Sequence, residues 1–95
     1  MAHESIFKAL ADPNRRKILA LLRKHDSLNA GEIAEQFSIS KPAISDHLRI
    51  LKDANLIFAD KQGQYIHYQL NTSVLEELAA YLVDFVKLGK EEEDQ

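Results

Sequence analysis

Residues 29–52 read NAGEIAEQFSISKPAISDHLRILK, a pattern typical of two short helices joined by a three-residue turn. Asn29 can cap the first helix, and Glu32, three positions later, can complete a reciprocal cap. Ser40 can cap the second helix, and Pro42 falls in its first turn, where a missing N–H costs nothing. Such a pair indicates a helix-turn-helix, which presents its second helix to a groove in DNA.

The second helix, predicted over residues 41–54, separates apolar from polar positions. Ile44, Leu48 and Leu51 recur at i, i+4 and i+7 and form one apolar seam. A solvated amphipathic helix with no further role would show the same seam, and only the flanking sequence favours DNA binding over it. The residues of this segment that we predict to meet DNA are Ser40, Lys41, Pro42, Ser45, Asp46, His47, Arg49 and Lys52.

Length and composition indicate one small domain. The chain has 95 residues, 45% of them hydrophobic, and no cysteine, so neither a disulfide framework nor a thiolate metal site is available. No apolar run approaches the roughly 20 residues that span a bilayer, and the N-terminus lacks signal-peptide features. We therefore expect a soluble cytoplasmic protein with one domain over residues 1–90.

The net charge of −3 is unusual for a protein that binds DNA, but the charge is unevenly distributed. Residues 1–75 hold ten basic and eight acidic side chains, whereas residues 76–95 hold two and seven. The acidic tail, residues 91–95, is expected to be a frayed, solubilising end. The remaining chain is mildly basic, which predicts DNA binding that weakens steeply with salt.

Two helices are predicted before the helix-turn-helix. The first covers residues 3–10, and the second runs to about Lys24 with Asp12 as its cap and Pro13 in its first position. Basic residues 15–17 lie in its first turns. A solvated face or salt bridges to neighbouring helices explain this cluster better than direct contact with DNA.

Two strand-like runs, residues 56–61 and 64–70, follow the helix-turn-helix and are separated by Gln62 and Gly63. We call the hairpin of residues 57–70 the wing; its alternation turns Ile66, Tyr68 and Leu70 towards the helices. A helix-turn-helix followed by a hairpin predicts a winged helix, mainly α with a small β-hairpin. The wing residues predicted to reach the DNA backbone or minor groove are Lys61, Gln62 and Gln64.

The last predicted helix starts after Asn71, ends at Gly89 and carries a wide apolar stripe. We interpret this stripe, together with the first helix, as a homodimer interface; the alternative is a helix folded back on its own domain. A two-fold dimer would require an inverted-repeat operator. The predicted interface residues are Ile6, Phe7, Leu10, Leu75, Leu78, Leu82 and Phe85.

Three segments, FKALADPNRRKIL (7–19), SISKPAISDHLRILKDANLI (38–57) and GQYIHYQL (63–70), together resemble the ArsR/SmtB family of bacterial winged-helix repressors. Within that family the chain is most similar to the metal-independent branch of sporulation-delay autorepressors. The resemblance implies a homodimeric repressor, joined through its first and last helices, that binds an operator near its own promoter. Lys41, Pro42, Ser45 and Asp46 match the family's groove-facing positions, and residues 62–64 match its wing.

Metal sensing is not expected. Sensing members of the family carry a Cys-x-Cys pair on the helix that here spans residues 30–37, or Asp and His ligands on the last helix. This chain has no cysteine and no histidine after His67, and no two histidines share the i, i+4 spacing. His47 is interpreted as a packing residue or a phosphate contact. We expect no metal and no cofactor.

A DNA-binding repressor is therefore the preferred function, and a winged-helix module that binds only proteins is the alternative. An enzyme is not expected, because glycine is too sparse for a phosphate loop and no nucleophile motif is present. No small-molecule substrate is predicted either. The resemblance suggests that a membrane protein or another protein sequesters the repressor, and the acidic end could be the segment it binds.

Overall fold

The computed structural model describes the backbone of residues 2–93 and the side chains of residues 3–87. It confirms the predicted architecture, mainly helical with a hairpin after the helix-turn-helix. The elements are α1 (Ala2–Leu10), α2 (Pro13–Lys24), β1 (Leu28–Asn29), α3 (Ala30–Ala34), α4 (Lys41–Asp53), β2 (Ile57–Gln62), β3 (Tyr65–Leu70) and α5 (Thr72–Glu93).

The sheet has one strand more than the sequence predicted. Strand β1 pairs antiparallel with β3, Leu28 opposite Tyr68 and Asn29 opposite His67, so the strand order is β1-β3-β2. Two residues are too few to show the alternation by which a strand is recognised. The pairing attaches the base of the wing to the start of α3, whose N-cap is Asn29.

One hydrophobic core joins all five helices and β2. The α4 seam is confirmed, because Ile44, Leu48 and Leu51 are each at most 1% exposed. Burying one such side chain contributes about 1.5–3 kcal/mol. The largest fully buried side chains are Ile18, Ile33, Ile44, Leu48, Leu51 and Leu56.

The predicted N-caps Asp12, Asn29 and Ser40 are all present. Asn29 and Glu32 form the reciprocal cap, with N···O distances of 2.9 and 2.8 Å. The Ser40 hydroxyl accepts from the backbone N–H of Ala43 at 3.2 Å. Both helices of the pair therefore begin where the sequence places them.

The connection between α3 and α4 is longer than the predicted three residues. Helix α3 ends at Ala34 and α4 begins at Lys41. The N–H groups of Gln36 and Phe37 bond to carbonyls three residues earlier, at 3.0 and 3.1 Å, so the chain leaves the α-helix through a tightened turn. Phe37 lies beyond the helix but still packs against the core.

Helix α5 continues beyond its predicted end at Gly89 and reaches Glu93. A glycine inside a helix costs about 1 kcal/mol, which the good helix formers on either side can offset. Residues 91–93 of the predicted frayed tail are therefore helical, while residues 94–95 lie outside the described backbone. Within the described residues, no helix is both long enough and apolar enough to cross a membrane.

The C-terminus of α4 is closed by Asn55, whose φ of 61° lies in the left-handed region. The N–H of Leu56 bonds to the carbonyl of Leu51 at 3.0 Å, and that of Asn55 to the carbonyl of Lys52 at 2.9 Å, the pair of bonds of a Schellman motif. The Asn71 side chain, just before α5, donates to the carbonyl of Asn55 at 2.9 Å. One turn therefore positions α4, β2 and α5.

This backbone conformation predicts unequal effects of two small substitutions at Asn55. Asn55→Gly should leave the free energy of unfolding nearly unchanged, whereas Asn55→Ala should lower it by about 1 kcal/mol, because a Cβ is strained at positive φ. Urea unfolding followed by circular dichroism measures both. Equal stabilities of the two variants would contradict this account of the turn.

Candidate nucleic-acid interface

The outward face of α4 is polar and open to solvent. The buried seam fixes the rotation of the helix, so the residues predicted to meet DNA point away from the core. Helix α4 has 13 residues and is about 20 Å long. With its side chains it is about 10–12 Å across, so it fits the major groove, which is about 12 Å wide. The predicted residues of this segment that are exposed are Ser40, Lys41, Pro42, Ser45, Asp46, Arg49 and Lys52.

Arg49 lies between two carboxylates of its own helix. Its Nη2 is 3.8 Å from Asp46 Oδ1, its Nη1 is 3.7 Å from Asp53 Oδ2, and its side chain is 63% exposed. Exposed pairs of this kind contribute at most about 1 kcal/mol. The guanidinium can therefore exchange these contacts for a phosphate or a guanine at small cost.

His47 differs from the other predicted contact residues, because it is half-buried and bonded inside the protein. Its Nδ1 lies 3.3 Å from Nη1 of Arg15. A guanidinium can only donate, so Nδ1 accepts, and in the neutral ring the proton is on Nε2. The structure thus gives His47 a packing role on its Nδ1 side.

In the basic cluster of α2, Arg16 and Lys17 are exposed and Arg15 is half-buried, and all three donate hydrogen bonds to backbone carbonyls. Arg15 Nε donates to the carbonyl of Ala9 at 2.7 Å and Arg15 Nη2 to that of Lys8 at 3.2 Å. Arg16 Nη1 donates to the carbonyl of Leu10 at 2.7 Å. Because α1 has no glycine at its end, these two arginines satisfy its last carbonyls instead.

Lys17, the third residue of the basic cluster, contacts the turn between α3 and α4. Its Nζ donates to the carbonyl of Gln36 at 2.7 Å and lies 4.5 Å from the centroid of the Phe37 ring. The ammonium thereby stabilises the turn after α3 by a hydrogen bond and a cation–π contact.

Asp12 is the N-cap of α2 and lies three residues before Arg15. Partial desolvation raises the pKa of its carboxyl group, but hydrogen bonds from the N–H groups of Arg15 and Asn14 lower it, as does the positive charge of Arg15. The net effect holds the pKa below the ordinary value. A charged carboxylate is favourable there because it faces the positive end of the helix dipole.

The wing projects its tip away from the core. The loop is Gly63–Gln64, one residue later than predicted, and Gly63 has a φ of 65°, as at the first position of a type II′ turn. Predicted contacts Lys61, Gln62 and Gln64 are all exposed, and the Gln62 amide donates to Asp60 Oδ2 at 3.0 Å.

The inward alternation of the wing holds only near its base. Tyr68 and Leu70 are partly buried against the core, whereas Ile66, predicted to face the helices, is 44% exposed. Ile66 pairs with Lys61 near the tip of the hairpin, beyond the helices that cover Tyr68 and Leu70. The tip therefore offers an apolar side chain as well as polar ones.

The chain is similar to known proteins in both sequence and fold. Residues 12–58 match the arsR family of bacterial regulatory proteins. The chain is 51% identical over 85 residues to the transcriptional repressor SdpR of Bacillus subtilis (strain 168), an alignment that covers 90% of this chain and 93% of that protein. The chain belongs to the arsR family.

Two further comparisons agree. The chain is 30% identical over 86 residues to the arsenic resistance transcriptional regulator ArsR1 of Pseudomonas putida, covering 90% of this chain and 67% of that one. A crystal structure of an ArsR family transcriptional regulator aligns with a TM-score of 0.89 at 28% identity, covering 95% of this chain and 98% of that one. The protein is a DNA-binding transcriptional regulator with a winged-helix fold, and not an enzyme.

In this arsR-family chain, the residues predicted for the dimer interface differ in how deeply they are buried. Ile6 and Leu78 are only 3% and 6% exposed and belong to the core, so they have little surface to offer a partner. Leu10 and Leu75 are partly buried against that core. Among the side chains that the structure describes in α1 and α5, the large exposed apolar ones are Phe7, Tyr81, Leu82, Val83, Phe85 and Val86, of which Tyr81, Val83 and Val86 were not predicted.

An aromatic cluster joins the exposed part of α5 to α1. The rings of His3 and Tyr81 stack with centroids 4.2 Å apart, and Phe7 lies 6.4 Å from Tyr81. Phe85 meets Tyr81 edge to face at 5.1 Å. The start of α5 thus folds back on the core, while its later turns and α1 form one exposed apolar surface, which we call the α1/α5 surface; its residues are Phe7, Tyr81, Leu82, Phe85 and Val86.

Proposed function

We propose that the chain is a homodimeric repressor, acting on its own promoter, that binds an inverted-repeat operator through the helix of residues 41–54 and the wing. The observation that carries the proposal is that α4 has one buried apolar face and one exposed polar face. Its seam is almost fully buried while seven predicted contact residues lie exposed on the outer face. A rigidly held polar helix of this kind suits the reading of base edges.

Dimerisation through the α1/α5 surface is the second part of the proposal. Contiguous exposed apolar patches rimmed by polar residues mark sites of interaction, and regulators of the arsR family act as dimers. A two-fold axis through this surface would place two copies of α4 on successive turns of DNA, about 34 Å apart. The operator would then be an inverted repeat.

Metal independence is the third part. The chain has no cysteine, and where the structure describes side chains, no three His, Cys, Asp or Glu residues lie close enough together to hold an ion. We propose instead that the inducing signal is a protein, at a membrane or elsewhere, that sequesters the repressor from DNA in the cytoplasm.

A shift titration against the gene's own upstream region tests the proposal. The DNA would be titrated at two salt concentrations, each with and without zinc. Tight binding whose affinity falls as salt rises and does not change with zinc supports a metal-independent repressor. No shift at low salt contradicts the proposal and favours a winged helix that binds only proteins.

Arg49 provides a sharper test of how α4 meets DNA. Arg49→Ala is expected to weaken operator binding by about 1–3 kcal/mol, because it removes a side chain that can bond bidentately to guanine. Arg23→Ala is the control: it removes the same charge from an exposed position in the last turn of α2. Equal affinities of the two variants would show that α4 does not place Arg49 at the DNA.

Removing residues 91–95 tests whether the acidic tail takes part in induction. If the tail is the segment that a sequestering protein binds, the truncated repressor should bind its operator normally but no longer respond to the inducing signal in cells. Unchanged induction would exclude the tail from the mechanism. A reporter gene behind the operator measures both properties.

A further inference from the structure

Arg15 stands where three helices meet. It belongs to α2, which packs against both α1 and α4, and each nitrogen of its guanidinium has a different partner. Nε and Nη2 donate to the α1 carbonyls of Ala9 and Lys8 at 2.7 and 3.2 Å. Nη1 lies 3.3 Å from Nδ1 of His47 on α4. One rigid planar group therefore connects the end of α1 to the middle of α4.

The two helices connected in this way have different tasks in the proposed dimer. Helix α1 contributes Phe7 to the α1/α5 surface and contacts Tyr81 there, whereas α4 carries the face that meets DNA. The angle between α1 and α4 sets how far apart the two copies of α4 lie once the subunits pair. An inverted repeat accepts only one such spacing.

We propose that Arg15 is a positioning residue for operator binding, which fixes the orientation of α4 relative to α1 through His47. The inference rests on the proposed function, since it needs a dimer on two half-sites. It assigns Arg15 no contact with DNA. Lysine could keep the charge of Arg15, but its single ammonium cannot reproduce a fork that engages three acceptors on two helices.

The test compares Arg15→Lys with Arg16→Lys. Arg16 is the matched control, because it also donates to an end carbonyl of α1, that of Leu10, and its described bond does not involve α4. Each variant would be titrated against the full operator, defined by footprinting the wild-type protein, and against the same duplex with one half-site scrambled. Circular dichroism and sedimentation would check folding and dimerisation.

Arg15→Lys is expected to lose about tenfold in affinity for the full operator and less than about twofold for the single half-site duplex, while Arg16→Lys changes neither. Equal losses on both duplexes would overturn the inference, because a residue that only sets the spacing of the two α4 helices cannot weaken binding to a single half-site. No loss on the full operator would overturn it as well. A wild-type protein that gives no footprint on its own upstream region would refute the proposed function itself.

His47→Leu supplies a second arm, needed if Arg15→Lys fails to fold. This variant removes the contact to α4 and leaves both Arg15 bonds to α1 in place. Its affinity for the full operator should fall further than its affinity for the single half-site duplex. Where Arg15→Lys does fold, the double variant should lose no more than either single one. Additive losses, or equal losses on both duplexes, would show that His47 and Arg15 act separately.

Discussion

Phe85→Asp is expected to convert the dimer into monomers and to weaken operator binding by more than about 100-fold. Phe85 is 61% exposed and lies edge to face against Tyr81, at the centre of the α1/α5 surface. A partner subunit that covers this ring would instead have to bury an unpaired carboxylate, which is far more costly than losing the contact alone. Sedimentation measures the dimer and a shift titration the DNA affinity.

Ala80→Asp is the matched control for this substitution. Ala80 is exposed on the same helix, but at 100° per residue it falls on the side opposite Phe85 and Leu78. The same added charge should therefore leave both dimerisation and DNA binding nearly unchanged. If Phe85→Asp remained a dimer, the subunits would have to meet through another surface, and the proposed operator geometry would be wrong.

The sequence predicted the start and the buried face of α4 well because local rules determine them. The period of Ile44, Leu48 and Leu51 fixes its inner face, and Ser40 fixes its start; neither depends on distant parts of the chain. The assignment of His47 was incomplete for the opposite reason. Its partner, Arg15, is 32 positions away, and nothing in the spacing of residues reveals a contact between helices.

The apolar stripe of α5 shows a second limit of the sequence. Leu78 and Phe85 are seven residues apart and share one face of the helix, yet Leu78 is buried and Phe85 is exposed. The spacing of apolar residues shows which face of α5 is apolar. It does not show where the helix extends beyond its own domain, because that point depends on the size of the core. The alternative of a helix folded back on its own domain therefore describes only the start of α5, and the dimer interface stays a prediction for its later turns.

The sequence did not reveal the hydrogen bonds of the basic residues of α2, because their acceptors are backbone carbonyls. Every residue has a carbonyl, so the sequence does not show which ones are left unsatisfied. A signal was nevertheless available: the first helix runs into Ala11 and Asp12 without a glycine to close it, which leaves its last carbonyls in need of donors. Arg15 and Arg16, six or seven positions after these carbonyls, supply the donors.

Leu48→Ala is expected to lower the free energy of unfolding by about 2–5 kcal/mol, while Ser45→Ala leaves it nearly unchanged. Leu48 is 1% exposed, so its truncation opens a cavity beneath α4. Ser45 is exposed on the other face, where alanine is a good helix former. Urea unfolding followed by circular dichroism measures both changes, and a domain of this size has only about 5–15 kcal/mol of stability to lose.

The same two variants should reverse their order in DNA binding. Ser45→Ala removes a hydroxyl that can bond to a base or a phosphate, so operator affinity falls although the fold is intact. Leu48→Ala, assayed where it remains folded, keeps every group on the DNA-facing side and should bind more tightly than Ser45→Ala. If instead affinity followed stability across both variants, α4 would serve only to complete the core, and the groups that read the operator would have to lie on the wing.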